Sequence, residues 1–331
     1  MMLSKLSPSK IWNAINVLGS YWISRFTGSP SHIGLPLSLS IEPTTACNLR
    51  CPECPSGLRS FTRPTGKMDL ELLNKILNEV KSHCTYINFY FQGEPYIHPQ
   101  FLDMVRLCRK YKIYSATSTN AHFLNTDKAK ETVQSGLDRL IISIDGTDQS
   151  TYESYRKEGD LSKVIKGAKT ILHWKKELKS MTPHVIFQFL VVKPNEHQIE
   201  EVKKLGAELG VDEIRFKTAQ IYDFENGNEL IPTRDEYSRY KKTASGKWVI
   251  KNSLDNHCWR MWSGAVITWD GRVVPCCFDK DAAHSMGNLQ KQSFKEIWNN
   301  QHYKQFRASI LRSRSEIEMC KNCSEGTQVF G

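Results

Sequence analysis

The chain has 331 residues, 40% hydrophobic and 24% charged, an ordinary globular balance that excludes a disordered chain, a collagen-like repeat and a small disulfide scaffold. A net charge of +10, from 45 Lys and Arg against 35 Asp and Glu, favours anionic partners, but the cations are scattered, so a dedicated nucleic-acid groove is not expected. The longest apolar runs are strand-sized, well short of the roughly 20 residues that cross a bilayer.

Residues 7–27 predict a short amphipathic helix. Ser7 can cap it, Pro8 suits its first turn, and Ile11, Ile15, Leu18, Trp22 and Phe26 recur at helical spacing. With Lys5, Lys10 and Arg25 nearby, that face could make weak peripheral contact with an anionic membrane. The alternative, favoured by the polar Asn13, Asn16 and Ser20, is a helix that closes the bottom of the next domain. From residue 37 the pattern alternates. Strands are predicted over 37–41, 86–91, 113–118, 139–144, 184–192 and 213–218, and helices over 69–84, 99–111, 127–135, 161–178 and 196–209. Such alternation implies an α/β fold with parallel strands. Six units are too few for an eight-fold barrel and leave an open doubly wound sheet or an incomplete barrel. In either, the functional edge lies at the carboxyl ends of the strands. Residues 221–257 lose the rhythm and read as a linker with a helix around 234–242. A different unit follows over 258–331. In it Asp270–Gly271 marks a hairpin between 265–269 and 272–275, and one helix spans 293–312. The lead-in is thus 1–36 and the core 37–220.

Ten cysteines stand in two clusters and two singles. With no secretory signal at the N-terminus a cytoplasmic protein is expected, in which clustered cysteines read as metal or redox groups rather than disulfides. Cys84 and Cys108 fall in helical patterns and read as core. Directly after the first strand, Cys47, Cys51 and Cys54 are spaced C-x3-C-x2-C. A helix would put all three on one face, but Pro52 and Pro55 push the residues before them out of the helical region, so a loop is expected. Three thiolates do not close a tetrahedral zinc site. On a four-iron cluster they would leave one iron open to a non-protein ligand.

On these residues the segment resembles the radical S-adenosylmethionine (SAM) superfamily, whose C-x3-C-x2-C signature follows the first strand of a partial (β/α)6 TIM-like barrel. The resemblance implies a [4Fe–4S] cluster on Cys47, Cys51 and Cys54, with SAM on the open iron. Reductive cleavage, fed by an electron donor such as a flavodoxin or ferredoxin, would give a 5′-deoxyadenosyl radical that abstracts hydrogen from substrate. The sequence Gln92-Gly93-Glu94-Pro95 is similar to the family's G-G-E-P element, which meets the methionine amino group, although Gln92 replaces its first glycine. Ser118-Thr119-Asn120 stands where relatives read S-T-N-G, with Ala121 for the glycine. Ser143 matches a fourth-strand serine near the ribose or methionine. Arg156 matches an arginine that pairs with the methionine carboxylate, a contact suited to a guanidinium fork. Gln188 and Lys217 are further inward candidates on the fifth and sixth strands. Each has a plain reading: Glu94 as a cap, Ser143 as core, Arg156 as a surface charge. Their order at the ends of successive strands is what points to a ligand.

In the C-terminal unit, Cys258, Cys276, Cys320 and Cys323 make the best four-ligand set, suited to zinc or to an iron–sulfur cluster. Joined to the core, this unit resembles the family's SPASM/twitch extension and implies one auxiliary [4Fe–4S] cluster with every iron ligated. Adjacent strand residues face opposite ways, so Cys277 is an alternate ligand or a buried thiol rather than a partner of Cys276. The resemblance implies an oxidoreductase that modifies a peptide side chain or a small molecule such as a sugar. A non-catalytic iron–sulfur electron carrier and a zinc-stabilised binding protein are the other readings.

Overall fold

Six parallel strands stand in sequential spatial order in the computed structural model of the chain, which describes residues 5–325. They are β1 (Ser38–Ile41), β2 (Tyr86–Asn88), β3 (Tyr114–Thr119), β4 (Arg139–Ser143), β5 (His184–Val191) and β6 (Glu213–Thr218). Helices α2 (Pro55–Leu58) and α3 (Leu70–Val80) join β1 to β2, and α4 (Phe101–Lys110) and α5 (Thr126–Ser135) serve the next two crossings. Helices α6 (Gln149–Tyr155) and α7 (Leu161–Glu177) precede β5, and α8 (Ile199–Leu209) precedes β6. A doubly wound sheet reverses its strand order at a switch point. This one does not, and the fold is a partial barrel.

Strand alternation sets what the barrel encloses. Leu39, Ile41, Ile87, Phe89, Leu140, Ile142, Ile214 and Phe216 pack into the core. The residues between them, Ser38, Ser40, Tyr86, Asn88, Arg139, Arg215 and Lys217, line a cavity of about 690 Å³ on the other face. A closed barrel fills its interior with branched apolar side chains. Here the inward positions are mostly polar, so the interior is a chamber.

The C-terminal segment continues the same sheet. After β7 (Tyr240–Lys242), β8 (Trp248–Ile250) and α9 (Arg260–Ser263), strand β9 (Gly264–Ile267) pairs in parallel with β1. Strands β10 (Arg272–Val274) and β11 (Gly287–Asn288) then extend the sheet antiparallel to nine strands. The hairpin loop is longer than two residues. Thr268 N donates to Arg272 O at 3.0 Å, Gly271 N donates to Thr268 O at 2.9 Å, and Gly271 takes φ 81°, a turn followed by a left-handed residue. Helices α10 (Phe294–Trp298), α11 (Gln301–Ser313) and α12 (Glu318–Lys321) follow.

Three further expectations change. The helix around 234–242 is a single 3-10 turn, Asp235–Tyr237, followed by β7. Buried Tyr240 fixes that strand: its hydroxyl accepts from Ile221 N and donates to Asn322 Oδ1, both at 2.8 Å. The single helix over 293–312 is two, because the Asn300 side chain accepts from Tyr303 N at 2.9 Å and caps a new start. The first helix, α1 (Pro8–Thr27), packs on the protein with Val17 and Tyr21 and with the polar residues of the sequence pattern. Asn13 exchanges hydrogen bonds with Leu35, while Ser20 and Ser24 bond to Ile33 O and Ser31 O. Its apolar stripe therefore faces outward: Ile11, Trp12, Ile15, Trp22, Ile23 and Phe26 are exposed, Trp12 by 66% and Phe26 by 94%.

Candidate active site

The loop after β1 carries the first three cysteines to the carboxyl edge of the sheet. Cys54 has extended backbone (φ −126°, ψ 118°) and precedes Pro55 at the start of α2, as the prolines require. Two glycines let the backbone close around this loop. A Cβ on Gly57 would lie 2.7 Å from Cys51 N, and one on Gly93, at φ +76°, would lie 2.2 Å from Thr44 O. Ser56 Oγ accepts from Gly93 N at 2.9 Å, and Glu94 N donates to Ala46 O at 2.8 Å, so the β2 turn and the cysteine loop form one frame.

Cys47, Cys51 and Cys54 line a cavity of about 190 Å³ together with Gln92, Gly93, Glu94, Asn120, Ser143 and Arg156. The family resemblance aligns these residues along the chain, and the fold brings them together. Gln188 stands beside Ser143 in the β4–β5 register and lines neither this cavity nor the larger one. Lys217 lines the larger.

Burial pushes the Cys47 thiol up to about 12 and raises Cys51 as well, with Arg156 opposing the shift at Cys51. Desolvated thiols of this kind become thiolates only beside a cation, which fits iron. Arg156 donates through Nε to Asp145, whose other oxygen accepts from Leu190 N at 2.7 Å. Its Nη1 lies 3.8 Å from Cys51 Sγ. The guanidinium is thus held at the cavity wall by a fully buried carboxylate, placed to meet an anion. Glu94 is a brace. It caps the turn Pro95–Ile97 through Tyr96 N and accepts from Thr119 Oγ1 at 2.7 Å and Asn120 N at 2.8 Å, tying β2 to β3. Burial raises its pKa to about 7 against those hydrogen bonds. Asn120 Nδ2 donates to Asn48 Oδ1 at 2.8 Å inside the cysteine loop, and Ser143 Oγ lies 3.5 Å from Ser118 Oγ.

The C-terminal cysteines sit at the opposite edge of the sheet. Cys258 and Cys276 pack with Trp259, Met261 and Trp262, whereas Cys277 packs with Phe91, Val266, Val274 and Ala282. The sequence placed the two on opposite strand faces, but both lie beyond the end of β10 in a turn, where their side chains hydrogen-bond to one another and both line the 690 Å³ cavity, so strand alternation does not separate them. Burial raises Cys258, Cys320 and Cys323, Cys320 to about 11, and buried Arg314 opposes it in each. Arg314 Nη2 lies 3.2 Å from Cys323 Sγ and 2.6 Å from Glu325 O, and Nη1 donates to His257 O at 3.2 Å. Nothing local in the sequence marks this arginine.

Side chains also join the two cysteine sites. Fully buried Glu42 and Arg63 pair through both terminal guanidinium nitrogens, Nη1 and Nη2, Glu42 accepts from Trp269 N at 3.2 Å, and Arg63 Nε donates to Lys280 O at 3.0 Å. Asp281 accepts from Thr62 N at 2.9 Å and from Arg63 N at 3.2 Å. Burial lowers the Lys280 pKa, while Cys54, Cys277 and Glu53 act in the other direction, so its ammonium lies within the field of both cysteine groups. Among the described residues no three or more His, Cys, Asp or Glu are arranged to hold a single metal ion.

Residues 41–206 match the radical SAM superfamily, and residues 258–324 match SPASM, an iron–sulfur cluster-binding domain. The second match assigns the C-terminal unit to iron–sulfur rather than zinc. Over 319 residues the chain is 26% identical to the tungsten-containing aldehyde ferredoxin oxidoreductase cofactor-modifying protein of Pyrococcus furiosus, covering 86% of each. Its fold is similar to that of BtrN in complex with AdoMet and 2-DOIA, with TM-score 0.54 and 19% identity over 88% of this chain and 94% of that one. It is also similar to native anSMEcpe with bound AdoMet and Cp18Cys peptide, with TM-score 0.61 and 20% identity over 88% and 89%.

Proposed function

This chain belongs to the radical SAM superfamily, and on that premise we propose that it oxidises or otherwise modifies a polar small molecule or a peptide side chain held inside the barrel between its two cysteine sets. The enzyme uses a [4Fe–4S] cluster with SAM and an auxiliary iron–sulfur cluster. Bound together, the first cluster and SAM supply a hydrogen-abstracting radical, and the auxiliary cluster supplies an electron acceptor. Cys47, Cys51 and Cys54 hold the first cluster, and Cys258, Cys276, Cys320 and Cys323 the second. Arg156 receives the methionine carboxylate, Ser143 and Asn120 face the nucleoside, and Gly93 lets the β2 turn approach the cysteine loop.

One observation carries this reading: the inward strand residues and Cys276 line a single 690 Å³ chamber inside the barrel, while Cys47, Cys51 and Cys54 line a separate cavity of about 190 Å³ at the carboxyl edge. A protein that only carried electrons would need no such room. Anaerobically reconstituted, dithionite-reduced protein is expected to release 5′-deoxyadenosine from SAM, and the Cys51→Ala variant to release none. No release from an intact, reduced wild-type cluster would refute the reading in favour of the electron carrier.

The donor for this reaction would be a flavodoxin or ferredoxin, and the compartment the cytoplasm, where ten unpaired thiols are at home. Among the described residues no helix is long and apolar enough to cross a membrane. The outward stripe of α1, with two tryptophans and Arg25 over the Trp22 ring, on a chain of charge +10, suits peripheral contact with anionic lipid. Sedimentation with phosphatidylserine vesicles that Trp12→Ser and Phe26→Ser do not weaken would count against that contact.

A further inference from the structure

The chamber is polar in a directional way. Ser40, Asn88, Ala116 and Arg139 form one transverse row across β1, β2, β3 and β4, in successive register pairs. Between Asn88 and Arg139 stands the small, fully buried Ala116, and the two chamber-lining side chains are about two strand spacings, ~10 Å, apart. Within that row two buried polar atoms have no hydrogen-bond partner among the described residues, the Arg139 Nε donor and the Asn88 Oδ1 acceptor. Buried polar groups are nearly always satisfied, so an orphan donor and an orphan acceptor on two residues that line one chamber are polar capacity the protein does not itself use.

The charges have the same bias. Four cations line the chamber: Arg139, Arg215, Lys217 and Arg260. Arg215 is paired with Glu213, and Arg260 with Glu325 at 2.5 Å. Arg139 and exposed Lys217 have no carboxylate partner among the described residues. Arg139 is instead held over the Tyr114 ring, 5.7 Å from its centroid, and Tyr114 stacks on Tyr86 at 5.3 Å. Arg139 also hydrogen-bonds to the Tyr86 and Tyr114 side chains, which hold at the chamber wall a guanidinium of the kind that recognises phosphate or carboxylate. The volume is that of a small-molecule site.

We propose that this chamber selects an anionic substrate, with Arg139 receiving its phosphate or carboxylate, Lys217 drawing it in at the mouth and Asn88 accepting from a hydroxyl or amine of the same molecule. The inference deepens the proposed function, on which it rests for the chamber's place in the reaction.

The test uses the reconstituted protein and isothermal titration calorimetry with inorganic phosphate and, separately, acetate, at low and high salt. Saturable binding of at least one anion is expected, weakening as salt rises and at least tenfold in Arg139→Gln. The stronger of the two identifies the acid group. No saturable binding by wild type, or an affinity unchanged in Arg139→Gln, overturns the inference. Should Arg139→Gln lower the iron content, Lys217→Gln at the exposed mouth carries the test: severalfold weakening is expected, and unchanged affinity overturns it. Release of 5′-deoxyadenosine by wild type is read separately. Protein that binds phosphate through Arg139 yet releases no nucleoside keeps the anion site and loses the proposed function.

Discussion

Gly93→Ala is the sharpest perturbation of the frame that holds the first three cysteines. A Cβ there would sit 2.2 Å from Thr44 O and 2.9 Å from Ala46 O, on a backbone at φ +76°. Real Cβ atoms essentially never approach closer than 3.0 Å, so Thr44 O must retreat by roughly 0.8 Å. The left-handed conformation costs alanine about 1–2 kcal/mol. Overpacking against rigid backbone adds about 1–3 kcal/mol. A total loss of about 2–5 kcal/mol is expected, and the displaced segment leads straight into Cys47. Misplacement on a scale near 1 Å can lower a rate about 100-fold. The assay pairs denaturant unfolding with iron content and 5′-deoxyadenosine release. Release should fall about 100-fold while auxiliary iron is retained. A variant with wild-type stability and release would refute the argument that close approach at Gly93 builds the site.

Three further outcomes are expected. Cys320→Ala should lose the auxiliary cluster's share of iron and keep the three-cysteine cluster, with circular dichroism checking that the C-terminal unit stays folded; unchanged iron would remove Cys320 from the ligand set. Asp145→Asn strips the buried partner from Arg156 and should destabilise the protein by about 3–5 kcal/mol in urea unfolding, with weaker SAM binding, whereas a loss below ~1 kcal/mol would mean that the pair holds nothing. Burial lowers His32 to about 3 and His83 to about 4, so both are neutral in the folded chain. The stability they contribute is complete above the unfolded value near 6.5 and is lost as pH falls below it. Urea midpoints should drop between pH 7 and 5, and replacing both by Gln should flatten that drop.

Much of the barrel was legible because its strands are β-rich runs between amphipathic helices. The predicted 213–218 coincides with β6, and the other five strands differ only at their ends. The three-residue strands β7 and β8 are too short to carry a period, and α6 was missed for the same reason. In α1 the apolar spacing shows that a stripe exists but not which way it faces; Asn13, Ser20 and Ser24 turned it outward by bonding to the chain that follows. The cysteine loop, Glu94, Asn120, Ser143 and Arg156 are readable from the resemblance to the family's motifs together with their order at strand ends. Arg314 at Cys323, the Glu42–Arg63 pair and Lys280 near both sites depend on tertiary packing that no local pattern records. The alternation of Ser38, Ser40, Asn88, Arg139, Arg215 and Lys217 with apolar neighbours already describes a wet barrel interior.

Cys47, Cys51 and Cys54 are proposed to hold a four-iron cluster with one iron left for SAM. Electron paramagnetic resonance of the reduced Cys320→Ala protein, with and without SAM, isolates that cluster. A cluster signal that shifts on addition of SAM and disappears in the further Cys51→Ala variant is the expected result. A signal indifferent to SAM, or a mononuclear zinc site in oxygen-free material, would contradict the account.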